Sequence, residues 1–415
     1  MLSVYRLLIN LIVIFSPLII LLRLIKKKEH ILRFKEKFTF FSKKRKEGNL
    51  LWFHGASVGE LMSVIPLIEK LEKDKNIKQI LVTTSTLSSA RIFAKFKFKK
   101  TIHQFFPIDT NYLSKKFLNY WRPNLAIFID SEIWPNMLTN LKKNSINHIL
   151  LNARITKKSF KRWKFFSSSA RKLFQNFDIC LSSSLESKNY LKSLGAKKNS
   201  FIGNLKFTQS EKVINELNNN TKKFFITKKI WCASSTHVLE EKICANIHKK
   251  LKIKYKNLLT IIIPRHIHRT KKIIKEINEL NLKIHLHSST KKINKKTDIY
   301  LVNSFGQTQS FFKECKVVFL GGSIIEHGGQ NPLEAVRYGC RTLHGPNIWN
   351  FKEIYALLHK YNFSTKIQNS SQLAYNVNKM IKNKTTTKSV ELRIKKLGSE
   401  ILTNTLKEIS PYIDR

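Results

Sequence analysis

Glu60 lies in a setting that could support catalysis. It ends the stretch LWFHGASVGE (Leu51–Glu60), in which a turn of small residues joins a buried-strand pattern to a segment with helical spacing. Such a turn lets a ligand approach the backbone and the free N–H groups of the helix start, so a carboxylate there could act as a general base. Ser57 and Glu60 also fit a capping box, in which each side chain satisfies a backbone N–H of the helix start. The stretch by itself leaves both interpretations open.

A glycine-rich motif in the second half of the chain has the features of a phosphate site. Gly321-Gly322-Ser323 follows an apolar run, and Gly328-Gly329 precedes a predicted helix start. In that start Asn331 fits the N-cap, Pro332 the first helical position and Glu334 the reciprocal capping acid. The glycines leave bare backbone around a helix N-terminus, which the cap alone does not require. We therefore predict a nucleotide site here, with Glu334 able to accept from ribose hydroxyls.

The same half of the chain offers a cation for that phosphate and several histidines. Arg265 follows Pro264 at the end of another apolar run and could bind the phosphate. Alternate residues of a strand share one face, but no carboxylate or cysteine stands near the histidines at ligand spacing, so we expect no metal site. The five cysteines show no paired spacing and predict a reduced, cytosolic protein. The histidines concerned are His266, His268, His285 and His287.

Alternating apolar runs and amphipathic segments must position these residues. The runs are β-branched or aromatic and end in polar or small residues, as buried parallel strands do. They form two series separated by the polar stretch Glu211–Lys229, which predicts two doubly wound α/β domains, 50–215 and 216–415, facing across a cleft. Many glycosyltransferases share this architecture, but fold alone does not settle function. The predicted strands are 51–53, 79–86, 102–107, 124–130, 148–154 and 178–184, then 230–236, 259–265, 283–289, 298–304, 317–323 and 341–346.

The N-terminal segment predicts attachment to a membrane. Residues 2–25 are of membrane length, although Asn10, Ser16 and Pro17 interrupt the apolar run. A secretory signal would end in a small-residue cleavage site, whereas here Lys26-Lys27-Lys28 follows, and such clusters stay in the cytoplasm. We expect an anchor at 1–25, by spanning or by monotopic insertion, and a basic collar at 26–49 against anionic headgroups.

The formal net charge of +49 admits three explanations. A nucleic-acid partner and an anionic membrane are the functional ones. A general drift toward lysine is the third, and it agrees with lysines that are spread through every region. RNA binding would bring exposed aromatics together with a concentrated basic face, and no such stripe is visible. We therefore expect no nucleic-acid partner and, of the two functional explanations, favour an anionic membrane surface.

Several segments in order resemble the 3-deoxy-D-manno-octulosonic acid (Kdo) transferases of lipopolysaccharide synthesis, over nearly the whole chain. The resemblance implies a GT-B fold, CMP-Kdo as donor, a lipid A precursor (lipid IVA) as acceptor, and a place at the inner membrane with the domains in the cytoplasm. It also implies inversion at the anomeric carbon without a metal or other cofactor. The segments are HGASVGE (54–60), VTTSTLSSA (82–90), FIDSEIWPN (128–136), NAR (152–154), GNLKF (203–207), STH (235–237), PRH (264–266), FLGGS (319–323), GGQNPLE (328–334) and GPNIWNF (345–351).

The resemblance also assigns roles to individual residues. Glu60 becomes the general base, while Asp130 or Glu132 and Lys206 stabilise the transition state. A helix N-terminus is expected to lower the pKa of Glu60, which keeps it ionised but makes it a weaker base. The residues implied to hold the CMP moiety are Pro264, Arg265, Phe305, Gly306, Gln307, Asn331, Pro332, Leu333 and Glu334.

The chain departs from the family pattern at a few positions. Gln307 stands where an acid is usual, Asn303-Ser304 where Asp-Thr is usual, Gln330 where His is usual, and Asp130 where Glu is common. Two alternatives therefore stay open: a GT-B transferase that uses another nucleotide sugar on a membrane lipid, and a non-catalytic basic protein that binds membrane or RNA. The number of sugars added depends on the shape of the acceptor pocket and is not set by these motifs.

Overall fold

A computed structural model describes residues 2–209, 216–304, 306–382 and 387–413. The chain forms two compact units: unit 1 contains Met1–Ser210 and Leu397–Arg415, and unit 2 contains Glu211–Lys396. The predicted boundary at 215 and 216 falls at the edge of a gap in the described residues. The predicted domain 216–415 differs from unit 2 at its end, because the last helix packs on unit 1 at Gly398. A side-chain carbon there would lie 2.5 Å from the Phe207 carbonyl oxygen.

Unit 1 is built on a parallel sheet of seven strands. They are β1 (Asn49–His54), β2 (Ile77–Thr84), β3 (Thr101–Phe105), β4 (Leu125–Ile129), β5 (Asn147–Ala153), β6 (Ile179–Ser182) and β7 (Asn199–Phe201), in the order β3-β2-β1-β4-β5-β6-β7. The helices are α1 (Leu2–Ile25), α2 (Val58–Leu71), α3 (Leu87–Phe93), α4 (Asn111–Trp121), α5 (Pro135–Lys143), α6 (Lys157–Phe165), α7 (Ser167–Phe174) and α8 (Leu185–Ser193), with 3-10 turns at Arg33–Phe38 and Leu205–Thr208.

Unit 2 repeats this plan with another seven-stranded sheet. Its strands are β8 (Lys229–Thr236), β9 (Leu258–Pro264), β10 (Ile284–Leu286), β11 (Ile299–Leu301), β12 (Val317–Leu320), β13 (Arg341–His344) and β14 (Ser364–Lys366), in the order β10-β11-β9-β8-β12-β13-β14. The helices are α9 (Asn219–Ile226), α10 (Glu240–Lys252), α11 (Thr270–Asn278), α12 (Thr308–Phe312), α13 (Leu333–Arg337), α14 (Lys352–Lys360) and α15 (Ser370–Lys382), with a 3-10 turn at Ile267–Arg269. The last helix, α16 (Thr387–Ile413), begins in unit 2 and ends in unit 1.

The predicted α/β class of two doubly wound domains is confirmed. Central strands such as β4 and β9 are buried along their whole length, which explains why they read as continuous apolar runs. Near the centre of each sheet the strand order reverses, between β1 and β4 in unit 1 and between β8 and β12 in unit 2. In unit 2, β11 also lies between β9 and β10. Ligands of doubly wound sheets bind at the central reversal, in the crevice beyond the carboxyl ends of the strands.

The N-terminal helix α1 is attached to unit 1 near both of its ends. The Tyr5 hydroxyl donates to Asp109 Oδ2 at 2.8 Å, and Arg6 Nε donates to Asn136 Oδ1 at 2.9 Å. Near the other end, Arg23 Nε lies 3.0 Å from the buried Glu29 carboxylate. Most apolar side chains of α1 are nevertheless exposed, and the helix is long and apolar enough to cross a membrane.

The segment predicted as a basic collar is folded against the sheet of unit 1. Its buried Glu36 accepts the Phe105 backbone N–H at 2.8 Å and pairs with Arg33 Nε at 2.8 Å. Lys37 pairs with Glu29 at 2.7 Å. This segment is therefore an integral part of unit 1.

Candidate functional site

The reversal of strand order in unit 1 brings three predicted acids to one crevice. Glu60 lies in the first turn of α2, which follows β1, and Asp130 and Glu132 lie in the turn that follows β4. Strands β1 and β4 are paired neighbours, with His54 opposite Phe128. The acids are therefore close in space because of the topology, although about seventy residues separate them in sequence.

Glu60 forms the capping box and also faces the other acids. Its backbone N–H donates to Ser57 Oγ at 3.4 Å, and its Oε2 accepts the Ser57 N–H at 3.1 Å. Burial raises the pKa of Glu60, and the negative charges of Glu132 and Asp130 raise it further, against the lowering effect of the bonds to Ser57. The expectation of a lowered pKa was therefore wrong, because desolvation and like charge outweigh the helix start.

Glu132 is held by two side chains on its Oε2 atom. Trp134 Nε1 donates to it at 2.7 Å, and His54 Nε2 lies 3.0 Å from it. His54 is itself fixed, because its Nδ1 lies 2.9 Å from Thr83 Oγ1 and its ring stacks on Phe106 at 3.7 Å. The predicted strand 51–53 stopped before His54, whereas His54 is the last residue of β1 and positions Glu132.

Asp130 and Lys206 form a second polar group at the same edge of the sheet. Asp130 accepts a hydrogen bond from Asn152 Nδ2, and its Oδ2 lies 3.6 Å from Lys206 Nζ. Asn152 Oδ1 in turn accepts the Leu205 N–H at 2.9 Å, which fixes the turn that carries Lys206. Asp130 and Asn152 have φ of 58° and 54°, a left-handed conformation that Asp and Asn tolerate better than most residues and that clusters at functional sites.

Gly55 brings the start of α2 close to β4. A side-chain carbon there would lie 3.1 Å from Glu60 Cβ and 3.1 Å from Ile129 Cδ1, so Gly55→Ala should displace Glu60. We expect turnover to fall roughly tenfold, since small misplacements of a reacting group are costly.

Gly59 offers a matched substitution without this crowding. A side-chain carbon at Gly59 would lie 4.0 Å from the nearest atom, Ser57 Oγ, so Gly59→Ala should stabilise α2 by about 0.5–1 kcal/mol. Urea unfolding and turnover of both variants test the difference, and equal stabilisation by both would contradict it.

In unit 2 the crevice between β8 and β12 is organised by the buried carboxylate of Glu240. Its Oε2 accepts N–H groups of His237 at 3.0 Å and Gly322 at 2.7 Å, and its Oε1 those of Ser323 at 3.3 Å and Ile324 at 3.2 Å. Burial raises the pKa of Glu240, while these bonds oppose the rise. Sequence reasoning missed Glu240. Its only signal in the sequence is that it stands three positions after His237, which directly follows a predicted strand.

The glycine-rich segments of unit 2 meet as the motif predicted, but the helix start differs. The Gly329 N–H donates to the Gly322 carbonyl at 2.7 Å. Asn331 Oδ1 accepts the Leu333 N–H at 3.1 Å, but α13 begins at Leu333. The predictions of Asn331 as the N-cap and Pro332 as the first helical residue were therefore wrong, because Pro332 is at the N-cap. Glu334 Oε1 accepts from Gln309 Nε2 at 3.0 Å, so its prediction as the reciprocal capping acid was wrong. α13 has only five residues, so its dipole is weaker than that of a longer helix.

Arg265 lies among histidines at the carboxyl end of β9. Pro264 ends that strand, and the Arg265 N–H donates to the Thr236 carbonyl at 3.0 Å while its side chain is exposed. The His237 ring lies 4.1 Å from that of His327 and 5.7 Å from that of His266. Burial lowers the pKa of His237 to about 4, and the neighbouring imidazoles and arginines add to the effect. The surroundings of His237 therefore favour an anion.

The remaining predicted nucleotide residues lie before α12. Phe305 is outside the described residues. Gly306 has a φ of 80°, and apart from its two chain neighbours no described residue has an atom within 4 Å of where a side chain would begin. Gln307 immediately precedes α12. Gln309, two residues later, connects this helix to Glu334. Within the described ranges, no group of three or more His, Cys, Asp or Glu residues is arranged to hold a metal ion.

Comparisons with known proteins identify relatives of this chain. The family profile described as 3-Deoxy-D-manno-octulosonic-acid transferase (kdotransferase) matches residues 32–209. The chain is 33% identical over 335 residues to the 3-deoxy-D-manno-octulosonic acid transferase of Rickettsia bellii, covering 80% of this chain and 79% of that protein. It is 28% identical over 314 residues to the enzyme of the same name from Haemophilus influenzae, covering 74% and 73%.

Among solved structures, a UDP-GlcNAc 2-epimerase from Neisseria meningitidis bound to UDP-GlcNAc aligns with a TM-score of 0.57 and 12% identity. The alignment covers 86% of this chain and 100% of that one, and at this identity it concerns the fold alone. It supports two Rossmann-like domains of the GT-B type, while the sequence relatives decide the family. This chain belongs to the 3-deoxy-D-manno-octulosonic acid (Kdo) transferases and is a glycosyltransferase of lipopolysaccharide biosynthesis.

Proposed function

We propose that the protein transfers Kdo from CMP-Kdo to a lipid A precursor, lipid IVA, with inversion at the anomeric carbon. One observation carries the proposal: Glu60, Glu132 and the Asp130–Lys206 pair share the crevice of unit 1 at the reversal of strand order. Membership of the family sets aside the non-catalytic alternative. A GT-B transferase that uses another nucleotide sugar is the remaining competitor.

In this mechanism Glu60 is the general base. It accepts the proton of the acceptor hydroxyl as that oxygen bonds to the anomeric carbon of Kdo. The bond from this carbon to the CMP phosphate oxygen breaks, and its electron pair leaves with CMP. Attack opposite the leaving group inverts the anomeric centre in one step. The raised pKa of Glu60 makes it a stronger base than an ordinary glutamate.

The neighbouring charges stabilise the transition state. Positive charge develops at the anomeric carbon, and Asp130 or Glu132 provides a fixed negative charge there. Lys206 holds Asp130 and contributes the cation of the same group. Because His54 and Trp134 bind Glu132 in the folded protein, its carboxylate needs little reorganisation during the reaction.

The donor is assigned to unit 2. Arg265 and the backbone around Gly321–Ser323 and Asn331 would bind the CMP phosphate, and Glu334 would accept from the ribose hydroxyls. We propose that these groups stabilise the negative charge on the departing phosphate in place of a metal ion.

The release of CMP tests this assignment of the donor. Release of CMP from CMP-Kdo should require lipid IVA and should persist in EDTA. Turnover of a UDP-sugar in place of CMP-Kdo would favour the competing nucleotide sugar.

The charge arrangement predicts a pH dependence that is specific to Glu60. Since Glu132 raises the pKa of Glu60, removing that charge lowers the pKa, and the base becomes active at lower pH. The acidic limb of the kcat/KM profile should therefore move to lower pH in Glu132→Gln, whatever the maximum rate. Asp130→Asn should move it less, because Asp130 contributes less. A limb that stays in place in Glu132→Gln would contradict the assignment of Glu60 as the titrating base.

Helix α1 is proposed to lie in the cytoplasmic leaflet of the inner membrane. The helix is about 36 Å long, and Tyr5 near its start and Arg23 near its end both contact unit 1. A helix fixed at both ends to a polar domain cannot place one end across the bilayer. Its exposed apolar side chains would enter the leaflet, while Lys26–Lys28 contact anionic headgroups.

Cysteine labelling tests this placement, because all five native cysteines are buried. We expect that Ser3→Cys is not labelled when a membrane-impermeant maleimide is added outside intact spheroplasts. Ser193→Cys, at an exposed end of α8, serves as the control for the cytoplasmic side. Labelling of Ser3→Cys from outside, with Ser193→Cys protected, would show that the helix spans the bilayer.

A further inference from the structure

A cavity of about 520 Å³ adjoins the turn that carries the acids of unit 1. Ser131 and Ile133, the two neighbours of Glu132, line one side of it. Its volume is within the range of about 300–1,000 Å³ that is typical of small-molecule sites. None of the roles proposed above uses this cavity.

The opposite wall is apolar and belongs to α6 and its surroundings. Ile155, Trp163, Phe165 and Phe166 line the cavity, and Phe165 and Phe166 remain 82% and 49% exposed. Two large aromatic side chains in contact with solvent are costly unless they meet an apolar ligand or membrane. The lining therefore fits hydrocarbon better than a sugar, which requires many polar partners.

The polar groups at the cavity are cationic or hydroxylic. Arg162 lines it, with Nη2 3.4 Å from Ser159 Oγ, and no acid is among the described lining residues. Helix α6 has no buried residue and carries four lysines besides Arg162 in the sequence KKSFKRWKF. A helix with this composition complements an anionic headgroup rather than a neutral one.

We infer that this cavity holds an acyl chain of the acceptor lipid while Arg162 binds one of the acceptor's phosphates. The inference rests on the proposed function, which makes the acceptor a phosphorylated, acylated disaccharide. Because Glu132 lies between Ser131 and Ile133, which both line the cavity, an acyl chain bound there would place the headgroup near the acids. The cavity would thus select acylated acceptors and position their hydroxyl groups.

Two substitutions separate the acyl contact from the phosphate contact. Ser159→Trp fills the cavity from the half-buried surface of α6, and should raise KM for lipid IVA at least tenfold. It should leave KM for the deacylated, phosphorylated disaccharide and for CMP-Kdo unchanged, since neither of them places an acyl chain in the cavity. Excluding a few methylene groups of the acyl chain from the cavity is enough to explain the tenfold rise in KM for lipid IVA. Arg162→Gln should raise KM for both acceptors. Ser193→Trp, an exposed position on α8, is the matched control and should change neither.

The outcomes distinguish this inference from the proposed function. Wild-type protein that transfers Kdo to neither acceptor would contradict the proposed function itself. Normal wild-type transfer with equal KM changes of Ser159→Trp for acylated and deacylated acceptors would contradict only the acyl site. A third measurement compares the binding of wild-type protein and Ser159→Trp to phosphatidylglycerol vesicles in the absence of acceptor. If Ser159→Trp weakens it as strongly as it raises KM, the occupant is bulk lipid and the inference is wrong.

Discussion

Glu60→Gln should lower the rate of Kdo transfer by about 10²–10⁴-fold, the usual contribution of a general base. The substitution keeps the shape of the side chain, and glutamine also serves at this position of a capping box. If Glu60 only capped α2, the variant would transfer Kdo at nearly the normal rate. The comparison therefore separates two roles that the structure shows to be compatible in one side chain, because Glu60 Oε2 accepts from Ser57 while its carboxylate faces Glu132.

The stability of this variant is an internal control. A folded-state pKa above the unfolded value means that the unfolded chain loses the proton more easily. Glu60 therefore destabilises the fold as pH rises through that folded-state pKa. Near pH 8 Glu60→Gln should melt at the same temperature as the wild type or slightly higher, with unchanged CMP affinity. A lower melting temperature together with near-normal turnover would leave only the capping role, with Asp130 and Glu132 as the next acids to test.

Arg265→Ala should weaken CMP binding by about ten-fold to a hundred-fold. A charge-assisted contact to phosphate typically contributes about 1.5–3 kcal/mol, which corresponds to that change in affinity. The side chain is exposed, so its removal should not unfold unit 2. Calorimetric titration with CMP measures the effect. Arg393→Ala, at another exposed arginine of unit 2, is the matched control, and equal affinities in the two variants would remove Arg265 from the site.

Most strands could be predicted because buried parallel strands are continuous apolar runs. β4 and β9 are buried over their whole length and were predicted to within a residue at each end. The edge strands β7 and β14 were not predicted, because each has three residues and little apolar character. The order of strands was also out of reach. It is set by pairings such as β1 with β4, which join segments far apart in sequence.

The residues that position the acids were harder to predict than the acids themselves. His54 contacts Glu132 across 78 positions, and Glu240 binds N–H groups 82 to 84 positions away. Local spacing contains no information on such partners. The pKa of Glu60 shows the same limit, since the helix start is visible in the sequence while burial and the charge of Glu132 depend on the fold.

Mass spectrometry of the lipid product is the most direct test of the central claim, that the crevice of unit 1 transfers Kdo to a lipid A precursor. Purified full-length protein would be incubated with CMP-Kdo and lipid IVA, beside Glu60→Gln at equal concentration. We predict a lipid whose mass increases by one or more whole Kdo residues with wild-type protein, and almost none with Glu60→Gln. Unmodified lipid IVA with a folded wild-type protein, or an equal product yield from both proteins, would contradict the account.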